Sequence, residues 1–215
     1  GDQRPIGIAF EKLNDHFLAD PRNETAAPLR ACPALGDAQP AGAVFILVAE
    51  AVAERFEALL QLRMGRLRSG PPLDKSTDMG VFIHPLRKEH ILNTCHEAVA
   101  SGAELIGGIS AEGCFIAPGY LRNIAPANPA MSAEELGPIA TLSTFRTADE
   151  AADLANTCRH GLSASIWSET AAVAMDLAAR IKAGMVWINS ANLIDAAVPF
   201  GGMRDSGYGR EGGRA

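Results

Sequence analysis

Cysteine is scarce and scattered in this chain. Cys32, Cys95, Cys114 and Cys158 include no Cys-x-x-Cys pair, which excludes a zinc knuckle and a disulfide framework and fits reduced thiols in a cytoplasmic protein. Dense Lys/Arg runs are also missing. With a net charge of −6 and a pI near 5.4, there is no electrostatic footprint for a phosphate backbone, and no nucleic-acid partner is expected. No apolar run approaches the ~20 residues that span a bilayer, so no membrane association is expected either. Gly1-Asp2-Gln3-Arg4 lacks signal-peptide character, and without secretion the sequon at Asn23-Glu24-Thr25 is a chance match. No internal repeat is visible.

What is present suffices for one well-filled core: 215 residues, 47% of them hydrophobic. Residues 1–42 are rich in Pro, Asp, Asn and Gly and are expected to form a largely irregular extension with a helical piece around Phe10–Phe17. From residue 43 the pattern of one domain, 43–215, takes over. Val44–Val48 is a continuous apolar run that predicts a central strand buried on both faces. Val52, Phe56, Leu59, Leu60 and Leu67 predict a helix stopped by Gly70-Pro71-Pro72. Leu86, Ile91, Leu92, Cys95 and Val99 predict the stripe of a second helix. Further strands are expected at Ala103–Ile106, at Ile139–Phe145, at Leu162–Trp167 and at Met185–Asn189. Cys114–Ile116 and Tyr120–Ile124 are expected as an extended pair around Pro118. Helices are expected at Ala148–Cys158 and Glu169–Lys182. Strands alternating with crossover helices predict an α/β fold, a mostly parallel sheet with helices on both faces.

His84, His90 and His96, with Glu89 and Cys95, do not fall at the i, i+4 spacing that a helical metal site uses, so no metal is expected. Gly207-x-Gly209-x-x-Gly212 spells a dinucleotide fingerprint, but with three residues after it no helix is expected there to hold a pyrophosphate. Arg204, Arg210 and Arg214 with Asp205 and Glu211 are expected as a mixed surface of little energetic weight.

The closing run Pro199-Phe200-Gly201-Gly202-Met203-Arg204-Asp205-Ser206-Gly207-Tyr208-Gly209-Arg210-Glu211 resembles the P-F-G-G-x-K-x-S-G-x-G-R-E motif of the aldehyde dehydrogenase superfamily. Pro72-Leu73-Asp74 with Thr77-Asp78-Met79-Gly80, Gly113-x-Phe115-x-x-Pro118 and Glu134-Glu135-Leu136-Gly137-Pro138 resemble three further motifs of that family, in the expected order. The resemblance covers residues ~43–214 and implies the family's catalytic-domain fold.

The departures bear on chemistry. In the family a G-Q-x-C loop precedes the first buried strand, and its thiolate attacks the aldehyde. Aligned without gaps through Val48-Ala49-Glu50, that cysteine position falls on Pro40, and the nearest thiol is Cys32, eight residues upstream. A thiol displaced that far has no assured approach to the donors that hold a developing oxyanion. By resemblance, Glu134 or Glu135 takes the place of the Glu that holds the nicotinamide ribose. Leu136 stands where a Phe packs the ring, and it cannot stack in the same way. Phe200 resembles the aromatic of the aldehyde tunnel, and the loop from Asn192 to Val198 its mouth.

The resemblance therefore implies an aldehyde-dehydrogenase-like domain without nucleophile or nucleotide-binding half, a non-catalytic binding or assembly module. As an isolated chain it is expected to be inactive and to hold no cofactor alone; NAD(P) is implied by the family only. The alternative is one part of a split or larger NAD(P)-dependent aldehyde dehydrogenase whose missing parts come from another chain or domain. A fragment with no independent function is a third reading. A protein partner or self-association is expected in each.

Overall fold

A computed structural model describes residues 6–11, 44–71, 73–80, 85–108, 113–133, 138–190 and 193–214. Seven strands form one sheet: β1 (Ile6–Glu11), β2 (Val44–Ala49), β3 (Glu104–Gly107), β4 (Gly119–Arg122), β5 (Ile139–Phe145), and two more at Ser163–Ser168 and Met185–Ile188. A two-residue strand, β6 (His160–Gly161), precedes the last two, which are therefore β7 and β8; β9 (Met203–Arg204) follows and pairs with β6 in a separate ribbon. The order across the large sheet is β3-β4-β5-β2-β1-β7-β8. β2 and β4 run parallel to β5, and β7 runs parallel to β8. β1 lies antiparallel to both of its neighbours, and β3 to β4. Five strands thus point one way, giving the mostly parallel α/β sheet that the sequence predicts, with β2 at its centre.

The continuous apolar run of β2 is explained by burial on both faces. Phe45 and Leu47 enter one core cluster, while Ile46 and Val48 enter the other, as strict alternation of side chains requires. The first cluster is roofed by α2 (Pro85–Ala100), α3 (Ala148–Ala155) and α4 (Ala171–Arg180) through Ile91, Cys95, Ala98, Ala151, Ala152, Ala174 and Leu177. The second is roofed by α1 (Ala53–Met64) through Leu60 and Met64. Burying one such leucine contributes about 2 kcal/mol. α3 is capped by the Thr147 hydroxyl, which accepts from the Glu150 N–H and supplies a partner for an otherwise orphaned donor.

A polar tie fastens α1 to the sheet. The Tyr120 hydroxyl, fully buried on β4, donates to Glu57 (2.9 Å) and accepts from Gln61 (2.8 Å). Arg122 donates to the same Glu57 carboxylate (2.9 Å) and to Glu104 on β3 (2.9 and 3.0 Å). Burial raises the Tyr120 pKa above its usual range, and the bonds from Arg122 hold the Glu104 carboxyl below its own.

Four local expectations are corrected. Where the sequence predicts a helical piece starting at Phe10, Ile6–Glu11 is a strand; the rest of that segment, residues 12–17, lies outside the described residues. Two sheet edges flank residues 6–11, and their pairing overrides local propensity. The first long helix ends at Met64 rather than at Gly70, in a tightened turn where Arg66 donates to Arg63 O and Leu67 to Met64 O. On α2, Leu86 and Val99 are exposed (64% and 44%), because the buried face is Ile91, Thr94, Cys95 and Ala98 at i, i+3, i+4 and i+7. Cys114–Ile116 does not pair with Tyr120–Ile124. β4 takes β3 and β5 as neighbours instead, and the Gly108 N–H donates to Pro118 O at the point where β3 joins it.

Candidate functional site

The route of the chain after β8 positions the one aromatic that the sequence assigns to a pocket. Asn189 takes a left-handed backbone (φ 51°), and its side-chain amide grips the Ser168 main chain at both N–H and C=O (2.9 Å each), closing β7 and β8 together. The chain then turns back along β8. The Trp187 indole donates to Leu193 O (3.0 Å), and Asp195 forms a turn by accepting from the Ala197 N–H (2.8 Å). It reaches the start of β8 at Gly184, where a Cβ would lie 1.7 Å from Gly201 O. Only a residue without a side chain permits that approach.

Phe200 is set at this point, half-buried, by a closed clip. Its N–H donates to Glu211 O and its C=O accepts from the Glu211 N–H, both at 2.8 Å. Arg210 points its guanidinium at Gly202 O (2.7 Å), Gly209 O (2.9 Å) and Tyr208 O (3.3 Å). Ser206 Oγ accepts from the Gly161 N–H (3.1 Å). Arg204 donates to the carbonyls of Asn156 and Cys158 just past α3, and Arg159 pairs with Asp205 (2.6 Å). Arg204 and Arg210 are exposed, as the sequence reading of a mixed surface expects, and both also reach main chain. Each planar guanidinium gathers main-chain carbonyls, a geometry that its fork of donors suits. The Gly207–Gly212 string lies within this clip as turns, with positive φ at Gly207 and Gly212 (91° and 70°).

Since β2, β5, β7 and β8 all point the same way, the start of β8 beside Gly201 lies at the same end of the sheet as the starts of β2 and β5. Pro40 precedes β2 in the chain, and Glu134, Glu135 and Leu136 precede β5. The fold thus delivers to one end the strands that follow these positions. Those residues, with Cys32 and Asn192, lie outside the described residues.

The sequence profile described as aldehyde dehydrogenase family matches residues 42–215. The chain belongs to the aldehyde dehydrogenase family. It is 34% identical to a betaine aldehyde dehydrogenase of Cereibacter sphaeroides over 173 residues, which is 79% of this chain and 36% of that one. It is 36% identical to a putative aldehyde dehydrogenase of Bacillus subtilis, covering 68% of this chain and 30% of the other. Among solved structures, the betaine aldehyde dehydrogenase of Staphylococcus aureus in complex with NAD+ superposes with a TM-score of 0.76 at 32% identity, over 81% of this chain and 36% of that one. The chain spans about a third of the length of the relatives it matches.

Aldehyde dehydrogenase chemistry directs attention to the thiols. Cys95 is buried (1% exposed) on the inner face of α2, and burial pushes its pKa up to about 11, so it stays protonated at neutral pH and is a poor nucleophile. Cys158 is buried in the same core. Cys114 is half-buried in the connection between β3 and β4. That connection sits at the far side of the sheet from β8, about 25 Å away at ~4.8 Å per strand. Of the histidines weighed as metal ligands, His90 and His96 are exposed on α2, and His84 lies outside the described residues. Among the described residues no group of three His, Cys, Asp or Glu side chains could hold a metal ion, and no helix is long and apolar enough to cross a membrane.

Sequence reasoning finds Phe200 but passes over the groups that set it. Arg210 and Ser206 read as parts of a motif rather than as clamps, and Asn189 as the last residue of a strand. A signal for Asn189 exists: Asn is enriched in the left-handed region where a strand must turn sharply.

Proposed function

We propose that this chain is an aldehyde dehydrogenase module that acts by binding and assembly rather than by hydride transfer. What carries the reading is the sequence leading into β2, where the ungapped alignment through Val48-Ala49-Glu50 sets Pro40 at the family's cysteine position. A proline offers no electron pair to attack a carbonyl carbon. The surroundings of the described thiols support it. Cys95 and Cys158 are sealed in the core, and Cys114 lies across the sheet from Phe200. What remains of the site is a half-buried phenyl ring on a braced clip, which can contact an apolar ligand or the surface of another chain.

NAD+ is bound by the Staphylococcus aureus relative, and the Gly207–Gly212 string of this chain does not have the form of a dinucleotide cradle. The Gly207–Gly212 string is folded into the turns that hold Phe200, whereas a pyrophosphate needs main-chain N–H groups at the start of a helix. The partner is a second polypeptide, either another copy or a longer family member.

The test is to incubate the purified chain with NAD+ or NADP+ and a panel of aldehydes, alone and then with full-length family members, while native mass spectrometry follows complex formation. The reading expects no reduced nucleotide from the isolated chain and a stable complex with a partner or with itself. Hydride transfer by the isolated chain would refute it.

A further inference from the structure

The family profile begins at residue 42, so β1 stands outside the matched segment while lying inside the sheet. Within the matched segment β2 and β7 do not pair with each other. β1 joins them, with Gly7 to Phe10 opposite Val48 to Phe45 on one side and Ile6 to Glu11 opposite Ser168 to Ser163 on the other. The matched part therefore consists of two half-sheets, β3-β4-β5-β2 and β7-β8. Their inner strands carry buried side chains, Leu47 at 1% exposure and Ile166 at 0%. Without β1, both inner edges would hold unpaired N–H and C=O groups, a template for another strand.

This slot recognises main chain. An extended segment gains hydrogen bonds on both edges at once, and such pairing depends little on which side chains it bears. The segment that fills it is tethered through residues 12–43, whereas antiparallel neighbours need as few as two residues to turn between them. Fully extended, such a tether reaches on the order of 100 Å, far beyond the slot of its own chain.

We propose that the gap between β2 and β7 is a strand-acceptor site, and that two copies of this chain associate by reciprocal exchange of residues 6–11. The exchanged strand keeps every pairing that it makes in one chain, so the two forms differ chiefly in tether entropy and concentration, the condition under which swapping is a low-cost route to a dimer.

Ala9 and Ser165 are register partners across β1 and β7, and each differs little in volume from a cysteine. Full-length chains carrying Ala9→Cys alone are mixed with full-length chains carrying Ser165→Cys alone, held in mild urea to permit opening, returned to buffer, oxidised and resolved by non-reducing mass spectrometry. The unsubstituted chain is the control for native thiols, and a chain with both substitutions reports the pairing within one copy. The expected result is a disulfide between the thiol introduced at position 9 of one chain and the thiol introduced at position 165 of the other. Its yield should fall at least about tenfold when the mixture is diluted about a hundredfold before oxidation, as mass action requires. A linkage formed only within the doubly substituted chain, at every concentration, would overturn exchange. Absence of linkage even there would overturn the slot itself.

Discussion

At the scale of single residues, contacts that no composition could reveal hold the site in place. Gly184 is one: a methyl group there would collide with Gly201 O at 1.7 Å, and that carbonyl belongs to main chain that cannot swing aside. Gly184→Ala is expected to lose about 3 kcal/mol or more of stability, seen as a lower midpoint in urea unfolding and a changed environment for Trp187 in near-ultraviolet dichroism. Tyr120→Phe removes the hydroxyl shared by Gln61 and Glu57 and leaves both groups short of a partner. A loss of about 1–3 kcal/mol is expected by the same measurement. Cys95, with its pKa pushed up to about 11, should resist iodoacetamide at pH 8 in the folded chain and react at an ordinary rate once urea unfolds it. Rapid folded-state labelling at Cys95 would contradict the packing of α2.

Among the secondary-structure elements, the pattern of apolar residues is enough to find β2, β5, β7, β8 and α1 to α4, because each buries a face whose period the side chains must follow. It fails where partners outside the element decide. Leu86 and Val99 fit a helical stripe by spacing, yet only the four positions that meet the sheet are buried. Residues 6–11 become a strand because two edges flank them, a fact absent from their own sequence. Cys114–Ile116 looks extended, but β3 already occupies the edge of β4. For the site, motif resemblance identifies Phe200, whereas Asn189, Arg204 and Arg210 owe their roles to distant carbonyls. The β3–β4 pair also carries a pH dependence. Arg122 holds the Glu104 carboxyl below its ordinary 4.5, so the folded state favours the ionised form. That stabilisation is present above the unfolded value and is lost as pH falls through the folded one. Unfolding midpoints measured downward from pH 5 should decline less steeply for Glu104→Gln than for the parent chain, and added salt should narrow the difference, since Glu104 is half-exposed (48%).

For the molecule as a whole, the family fold is retained over residues 42–215, with a TM-score of 0.76 to a relative that it spans by about a third. The fold alone does not decide the chemistry, because function resides in the site that a fold carries. The packed sheet, the roofing helices and the clip around Phe200 are conditions for a stable surface. The proposal of a non-catalytic module rests on Pro40, which the ungapped alignment through Val48-Ala49-Glu50 sets at the family's cysteine position in the chain that enters β2. The most direct measurement exposes the folded chain to an activated ester such as p-nitrophenyl acetate at neutral pH, quenches it in acid, and maps acylated cysteines by mass spectrometry. The account predicts no stoichiometric acyl adduct on Cys32, Cys95, Cys114 or Cys158. A rapid burst with one thioester per chain at any of these thiols would contradict it.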